Sequence, residues 1–133
     1  MNKKKIGFGI VGTGSIAHIH ARAIHAIGNA VLKGVFNINK NKADLFAVEH
    51  HCESYATLEE MLNNKDISVV CICTPSGMHL EPALKCIEKG KHCVIEKPLE
   101  ITLERCDQLI NAASKYGIKV GVVFPSRFQD VNK

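Results

Sequence analysis

The sequence of 133 residues contains no tryptophan, only two tyrosines and five phenylalanines, and no interleaving of basic with aromatic residues. A surface that stacks bases needs such residues, so a nucleic-acid partner is not expected. Charge of one sign is scarce as well. The net charge of +4 comes from 17 basic residues spread over the whole chain, which reads as solvated faces. No apolar run approaches the roughly 20 residues that span a bilayer. Lys3, Lys4 and Lys5 lead straight into a short apolar run with no signal-peptide pattern. The expectation is therefore a cytoplasmic protein with no membrane partner. Six cysteines are present, but no Cys-x-x-Cys, which speaks against a disulfide scaffold or a zinc finger. His50, His51 and Cys52 are adjacent, yet neighbours in sequence rarely converge on one ion, and no metal site is expected there.

What is present is a chain of ordinary apolar content, 46%, long enough for one domain with its own core. Two periods alternate along it. Residues 6–11, 30–36, a brief stretch around Tyr55, 67–73, 92–95 and 119–124 read as strands; residues 67–73 are almost wholly apolar, as in a central parallel strand. Between them lie helical patterns. In the first, Ile16, Ile19, Ala23 and Ile27 form the expected apolar face, with His18, Arg22 and His25 on the wet side. His20 lies nearer the packed face, as a hydrogen-bonded structural histidine. Residues 39–51 are helical in composition, and Thr57 with Glu60 forms a capping box for a short helix. Helices over about 78–89 and 102–116 end at Gly90 and Gly117, the latter starting from Thr102 as N-cap. Cys71 and Cys73, two apart on a strand, face the same side.

Strands alternating with helices predict an α/β fold with a doubly wound parallel sheet, a single domain over 1–124. Ligands of such sheets bind along the rim formed by the carboxyl ends of the strands. The first strand runs into Gly12-Thr13-Gly14-Ser15-Ile16-Ala17. Gly12 permits a tight turn, Gly14 lets a pyrophosphate approach without a Cβ in the way, and Ala17 stands in for a third glycine. The helix starting at Ser15 and Ile16 offers free N–H groups to phosphate. About twenty residues on, where an acidic side chain would hold the ribose hydroxyls, the sequence has Asn37. Asparagine can bond those hydroxyls without repelling a 2′-phosphate, and Lys40 and Lys42 lie close by. NAD or NADP is the expected cofactor, with NAD favoured because no arginine stands beside Asn37.

Two further strand ends carry chemistry. One gives Cys73-Thr74-Pro75-Ser76, with His79 opening the next helix. The other gives Glu96-Lys97-Pro98. A lysine beside a nicotinamide can polarise an alcohol oxygen or relay its proton, and Pro98 fixes the turn that aims it. The competing reading is an exposed turn in which Lys97 is simply salt-bridged to Glu96.

The stretches "GIVGTGSIAHIHARAI", "CTPSGMHLEPALKCIEKGKHCVIEKP" and "GVVFPSRF" together resemble the N-terminal domain of the glucose–fructose oxidoreductase, inositol dehydrogenase and rhizopine-catabolism (Gfo/Idh/MocA) family, over essentially the whole chain. The resemblance implies an NAD(P)-dependent oxidoreductase of sugars, polyols or nucleotide sugars. It makes Lys97 the catalytic lysine, and Gly12, Gly14, Ser15, Ile16, Asn37, Thr74, Pro75, His79, Glu96 and Arg127 cofactor-binding residues. The Lys97–Pro98 bond becomes a candidate cis peptide. Pro125 departs from the Asn or Gln frequent in the family two positions before Arg127, and Ser126 is the candidate substitute. Family members continue into an α+β domain that binds substrate, forms homo-oligomers and supplies a histidine in an Asp-x-x-x-His motif. Residues 125–133 are then the start of a connection, and this chain alone is expected to bind cofactor without turning over a sugar. The alternative function is a non-catalytic NAD(P)-binding sensor or regulatory module, which keeps the glycine loop but has no use for Lys97.

Overall fold

The alternation of short β-rich runs and helical segments resolves into eleven elements among residues 4–123, the part of the chain that the computed structural model describes. They are β1 (Ile6–Val11), α1 (Ser15–Ala26), β2 (Ala30–Phe36), α2 (Lys40–His50), β3 (Glu53–Tyr55), α3 (Leu58–Leu62), β4 (Val69–Ile72), α4 (Leu80–Glu88), β5 (His92–Ile95), α5 (Leu103–Tyr116) and β6 (Val120–Val122). The strands pair in parallel in the order β3-β2-β1-β4-β5-β6. Helices cover both faces, so the expected doubly wound sheet is what forms. The expected domain limit at residue 124, the segment 125–133 and Arg127 lie outside the described residues.

The period of two on the central strand divides the core. Cys71 and Cys73 join Ile10 and Val35 beneath α1 and α2, while Val70 and Ile72 join Val11 and Ile95 beneath α3, α4 and α5. Side chains of Met61, Leu80, Ile87 and Leu109 close that second layer. All six cysteines are free; Cys71, Cys73, Cys86 and Cys93 are buried as small apolar packing groups, and burial pushes the Cys71 thiol up to about 12. No helix among the described residues is long and apolar enough to cross a membrane.

The caps follow the local sequence. Thr57 Oγ1 accepts from the Glu60 N–H at 3.1 Å, and Thr102 Oγ1 accepts from the Arg105 N–H at 3.1 Å. Gly90 and Gly117 leave α4 and α5 with φ of 79° and 66°. The packed face of α1 differs from expectation. Ala17, Ala21 and Ile24 are buried, whereas Ile19 and Ile27 remain about half exposed and Ala23 is exposed. Ala17, Ala21 and Ile24 stand at i, i+4 and i+7 and form the face packed on the sheet, and Ile19 and Ile27 fall outside that stripe. His18, expected on the wet side, is half-buried against the Phe46 ring.

Candidate functional site

The strand order reverses between β1 and β4, so the loops leaving these strands diverge and open a crevice over their carboxyl ends. A cleft of about 1380 Å³ occupies this place, more than the roughly 300–1,000 Å³ of a drug-sized ligand site. Its wall takes Gly12, Gly14 and Ile16 from the first loop, Asn37 and Lys42 from beyond β2, Thr74 and Pro75 from beyond β4, and Glu96 and Lys97 from beyond β5. Residues scattered over the sequence are thus brought to one rim.

The glycine loop shows why its residue types are needed. Gly12 has φ of 101°, and a Cβ there would stand 2.8 Å from the Cys73 carbonyl oxygen, so the β1 and β4 loops touch only because Gly12 lacks one. At Gly14 a Cβ would meet no protein atom within 4 Å. The space it leaves faces a helix end of unusual character. Asn39, Thr57 and Thr102 cap α2, α3 and α5 with their side chains. At α4 the N–H groups of His79 and Leu80 donate to the Glu100 carboxylate at 3.1 and 2.9 Å. No side chain caps α1. Its first-turn donors, those of Ser15 and Ile16 among them, are available to an anion, and the helix dipole favours one. Ser15 is exposed and off the cleft wall, so it can contribute through its backbone.

Beyond β2, Asn37 is on the wall with its Nδ2 donating to the Asn39 carbonyl at 3.3 Å. The two nearby lysines differ. Lys40 donates to the Asp44 carboxylate and, at 2.9 Å, to Ser54 Oγ. These bonds, first from Lys40 and then from Ser54, hold the Asp44 carboxyl below its usual range. Lys42 instead lines the cleft.

At the other end of the cleft Glu96 is 7% exposed and its Oε1 lies 2.5 Å from His20 Nε2. The half-buried His20 is therefore the hydrogen-bonded histidine expected near the packed face. The Lys97–Glu96 ion pair considered from sequence does not form: the Glu96 carboxylate is buried against His20, while Lys97 is exposed on the cleft wall. The Lys97–Pro98 peptide is cis.

His79 sits differently from its expected place among cofactor contacts. It is 1% exposed, under the wall and not on it, with Nε2 at 2.8 Å from the Thr74 carbonyl oxygen and Nδ1 at 2.9 Å from that of Pro98. It braces the two rim loops against each other. Thr74 Oγ1 donates to the Met78 carbonyl at 2.8 Å, which closes the same turn. The next brace was not among the residues expected at the site. Glu100, 5% exposed, accepts from the backbone of His79, Leu80 and Ile101, and its Oε1 lies 3.2 Å from Arg105 Nε, at an angle too oblique for a hydrogen bond. Burial alone would raise the Glu100 carboxyl. The Ile101 and Leu80 N–H groups and the Arg105 guanidinium outweigh that, and its pKa lies below the ordinary value. The signal in the sequence was its place between a Lys-Pro turn and a Thr N-cap, but nothing local names its partners.

A parallel sheet in this strand order, with a glycine loop and an uncapped helix end at its reversal point, defines a dinucleotide-binding domain of the Rossmann type. The chain belongs to the Gfo/Idh/MocA oxidoreductase family with its NAD-binding Rossmann fold, whose family model matches residues 6–124. It is 34% identical over 125 residues to glucose-6-phosphate 3-dehydrogenase of Bacillus subtilis (strain 168), which covers 94% of this chain and 35% of that protein. It is 33% identical over 107 residues to UDP-N-acetylglucosamine 3-dehydrogenase of Acidithiobacillus ferrooxidans, covering 80% of this chain and 33% of that one. Among solved structures, the WlbA dehydrogenase from Bordetella pertussis in complex with NADH and UDP-GlcNAcA superposes with a TM-score of 0.92 at 28% identity, over 97% of this chain and 40% of that one. The chain thus spans about a third of the length of these curated relatives.

Proposed function

We propose that this chain is the cofactor-binding part of an NAD(P)-dependent dehydrogenase that acts on a secondary alcohol of a sugar, polyol or nucleotide sugar. The observation that carries the reading is that one cleft is lined both by the glycine loop and by the exposed Lys97. A phosphate-binding module without chemistry needs only the former. No observation favours the non-catalytic alternative.

The residues present fit a dinucleotide. The open α1 terminus and the bare Gly14 suit its pyrophosphate, Asn37 suits its adenosine ribose, and Thr74 and Pro75 border the passage toward Lys97. When bound, the nicotinamide ring accepts or supplies the hydride. The alcohol must also lose its hydroxyl proton as it becomes a carbonyl. Lys97 Nζ can take that proton, and as an ammonium group return it in the reverse direction. His79, bonded to the carbonyls of Thr74 and Pro98, keeps the turn that carries Lys97 in register with the β4 loop. NAD is the favoured form, a cytoplasmic location fits the composition, and the whole protein is proposed to assemble as a homo-oligomer, as its family resemblance implies. Arg127 keeps its proposed place beside the cofactor.

The test has two stages. Each of the four nicotinamide dinucleotides is added to this chain in a thermal-shift assay, where a ligand that binds only the folded state raises its midpoint. No shift at millimolar concentration with any of them overturns cofactor binding. In a polypeptide of the relatives' length carrying this domain, Lys97→Ala lowers kcat far more than it weakens cofactor affinity; an unaffected kcat removes the lysine from the mechanism. The 133-residue chain alone is inactive on sugars, because holding substrate carbon against the nicotinamide can be worth about 7–11 kcal/mol of barrier and the wall that does so is not among these elements.

A further inference from the structure

The end of α2 meets the first turns of α1 in a cluster of three donor atoms. His18 Nδ1 lies 2.7 Å from His50 Nε2 and 3.0 Å from Glu49 Oε2, and His50 Nε2 is 3.0 Å from the same oxygen. The three atoms form a nearly equilateral triangle. Hydrogen bonds alone do not satisfy it. Each imidazole nitrogen carries one proton or one lone pair, directed in the ring plane toward a single partner. If only one nitrogen is protonated, the other turns its lone pair toward the carboxylate oxygen. If both are protonated, two N–H groups oppose each other across the 2.7 Å edge. With the carboxylate ionised, one edge is repulsive unless a cation takes all three lone pairs.

We propose that His18, Glu49 and His50 bind a divalent transition-metal ion, with zinc as the favoured species. Two imidazoles and one carboxylate are an established zinc ligand set, and the fourth position is left to water. With zinc–ligand distances of about 2.0–2.1 Å, the edge of a tetrahedron is roughly 3.3 Å. The present triangle reaches that by opening about 0.3 Å on its two carboxylate edges and about 0.6 Å on its imidazole edge. Glu49 and His18 are free to make the adjustment, with side chains 60% and 30% exposed, while His50 is the fixed point at 6%. The Phe46 ring packs on both imidazoles, with centroids 4.7 and 4.5 Å away, and restrains their planes. Of the neighbouring triplet, only His50 joins the cluster; His51 and Cys52 are outside it. His18 and Glu49 also border the cleft, so the ion has a path from solvent. The bound ion would staple α1 to α2 without touching Lys97.

The experiment titrates zinc chloride into the reduced 133-residue chain, following heat and melting temperature. One ion per chain binds and raises the melting temperature. Glu49→Ala and His18→Ala, both at exposed or half-exposed positions, each weaken binding by about 100-fold or more, beyond the roughly 10–100-fold lost with an outer hydrogen-bonding partner. Cys52→Ser and His51→Ala bind as the unaltered chain does. Cobalt(II) in place of zinc gives visible bands free of thiolate charge transfer. Absence of saturable one-to-one binding overturns the site. So does binding that survives both Glu49→Ala and His18→Ala, or that disappears with Cys52→Ser.

Discussion

His20 on α1 and Glu96 at the end of β5, 76 residues apart, share a 2.5 Å contact between Nε2 and Oε1, with side chains 12% and 10% exposed. The pair ties the helix behind the phosphate loop to the strand end that carries Lys97. The two ends of the cleft are therefore joined by a buried bond.

Replacing one partner leaves the other buried and unpaired. His20→Leu is expected to destabilise the domain by about 2–4 kcal/mol, since a stranded buried carboxylate costs more than the bond it lost. His20→Gln, which can still donate, loses less. Urea unfolding measures both, and equal stability of His20→Leu and the unaltered chain would show that water replaces the ring.

The two loop glycines separate folding from binding. Gly14→Val, with φ of −75° and open space at its Cβ, changes stability by no more than about 1 kcal/mol yet abolishes the cofactor-induced rise in melting temperature. Gly12→Ala, at φ of 101° and against the Cys73 carbonyl, lowers stability by about 1–3 kcal/mol even without cofactor. The reverse pattern would mean that the phosphates lie elsewhere.

Cofactor choice turns on Lys42, because Lys40 is engaged by Asp44 and Ser54. In titrations with NADH and NADPH the chain prefers NADH. Lys42→Ala weakens NADPH further and leaves NADH unchanged, while Lys40→Ala alters neither. A clear NADPH preference would overturn the assignment made from Asn37.

Glu100 makes part of the stability dependent on pH. Its folded pKa lies below the ordinary 4.5, so the stability it contributes is fully present above that value and is lost as pH falls through the lower folded value. Glu100→Gln is expected to cost about 2–4 kcal/mol at pH 7, through unmatched N–H groups at the start of α4 and a less well paired Arg105. The gap between the two proteins narrows below about pH 4.5 as the native carboxyl protonates. A gap that stays constant from pH 7 to pH 3 would exclude the ionised carboxylate as its source.

Features that depend on near neighbours in the chain are legible without the fold. The Thr57 and Thr102 caps and the helix ends at Gly90 and Gly117 are contacts within about four residues, which covalent connection already brings into reach. The glycine loop and Lys97 were legible because each is a short motif at the end of an apolar run, and in parallel sheets all such ends share one rim. Which partners meet across that rim is set by the folded arrangement of strands and helices. The buried face of α1 depends on how the helix is rotated against β1 and β2, which put Ala17, Ala21 and Ile24 inward and Ile19 outward. Glu96 chose His20 over its neighbour Lys97, Glu100 found the first turn of α4, and His18 met Glu49 and His50. These side chains are 20 to 76 residues apart in sequence. Their distances are set by strand order and helix packing, which no local pattern encodes.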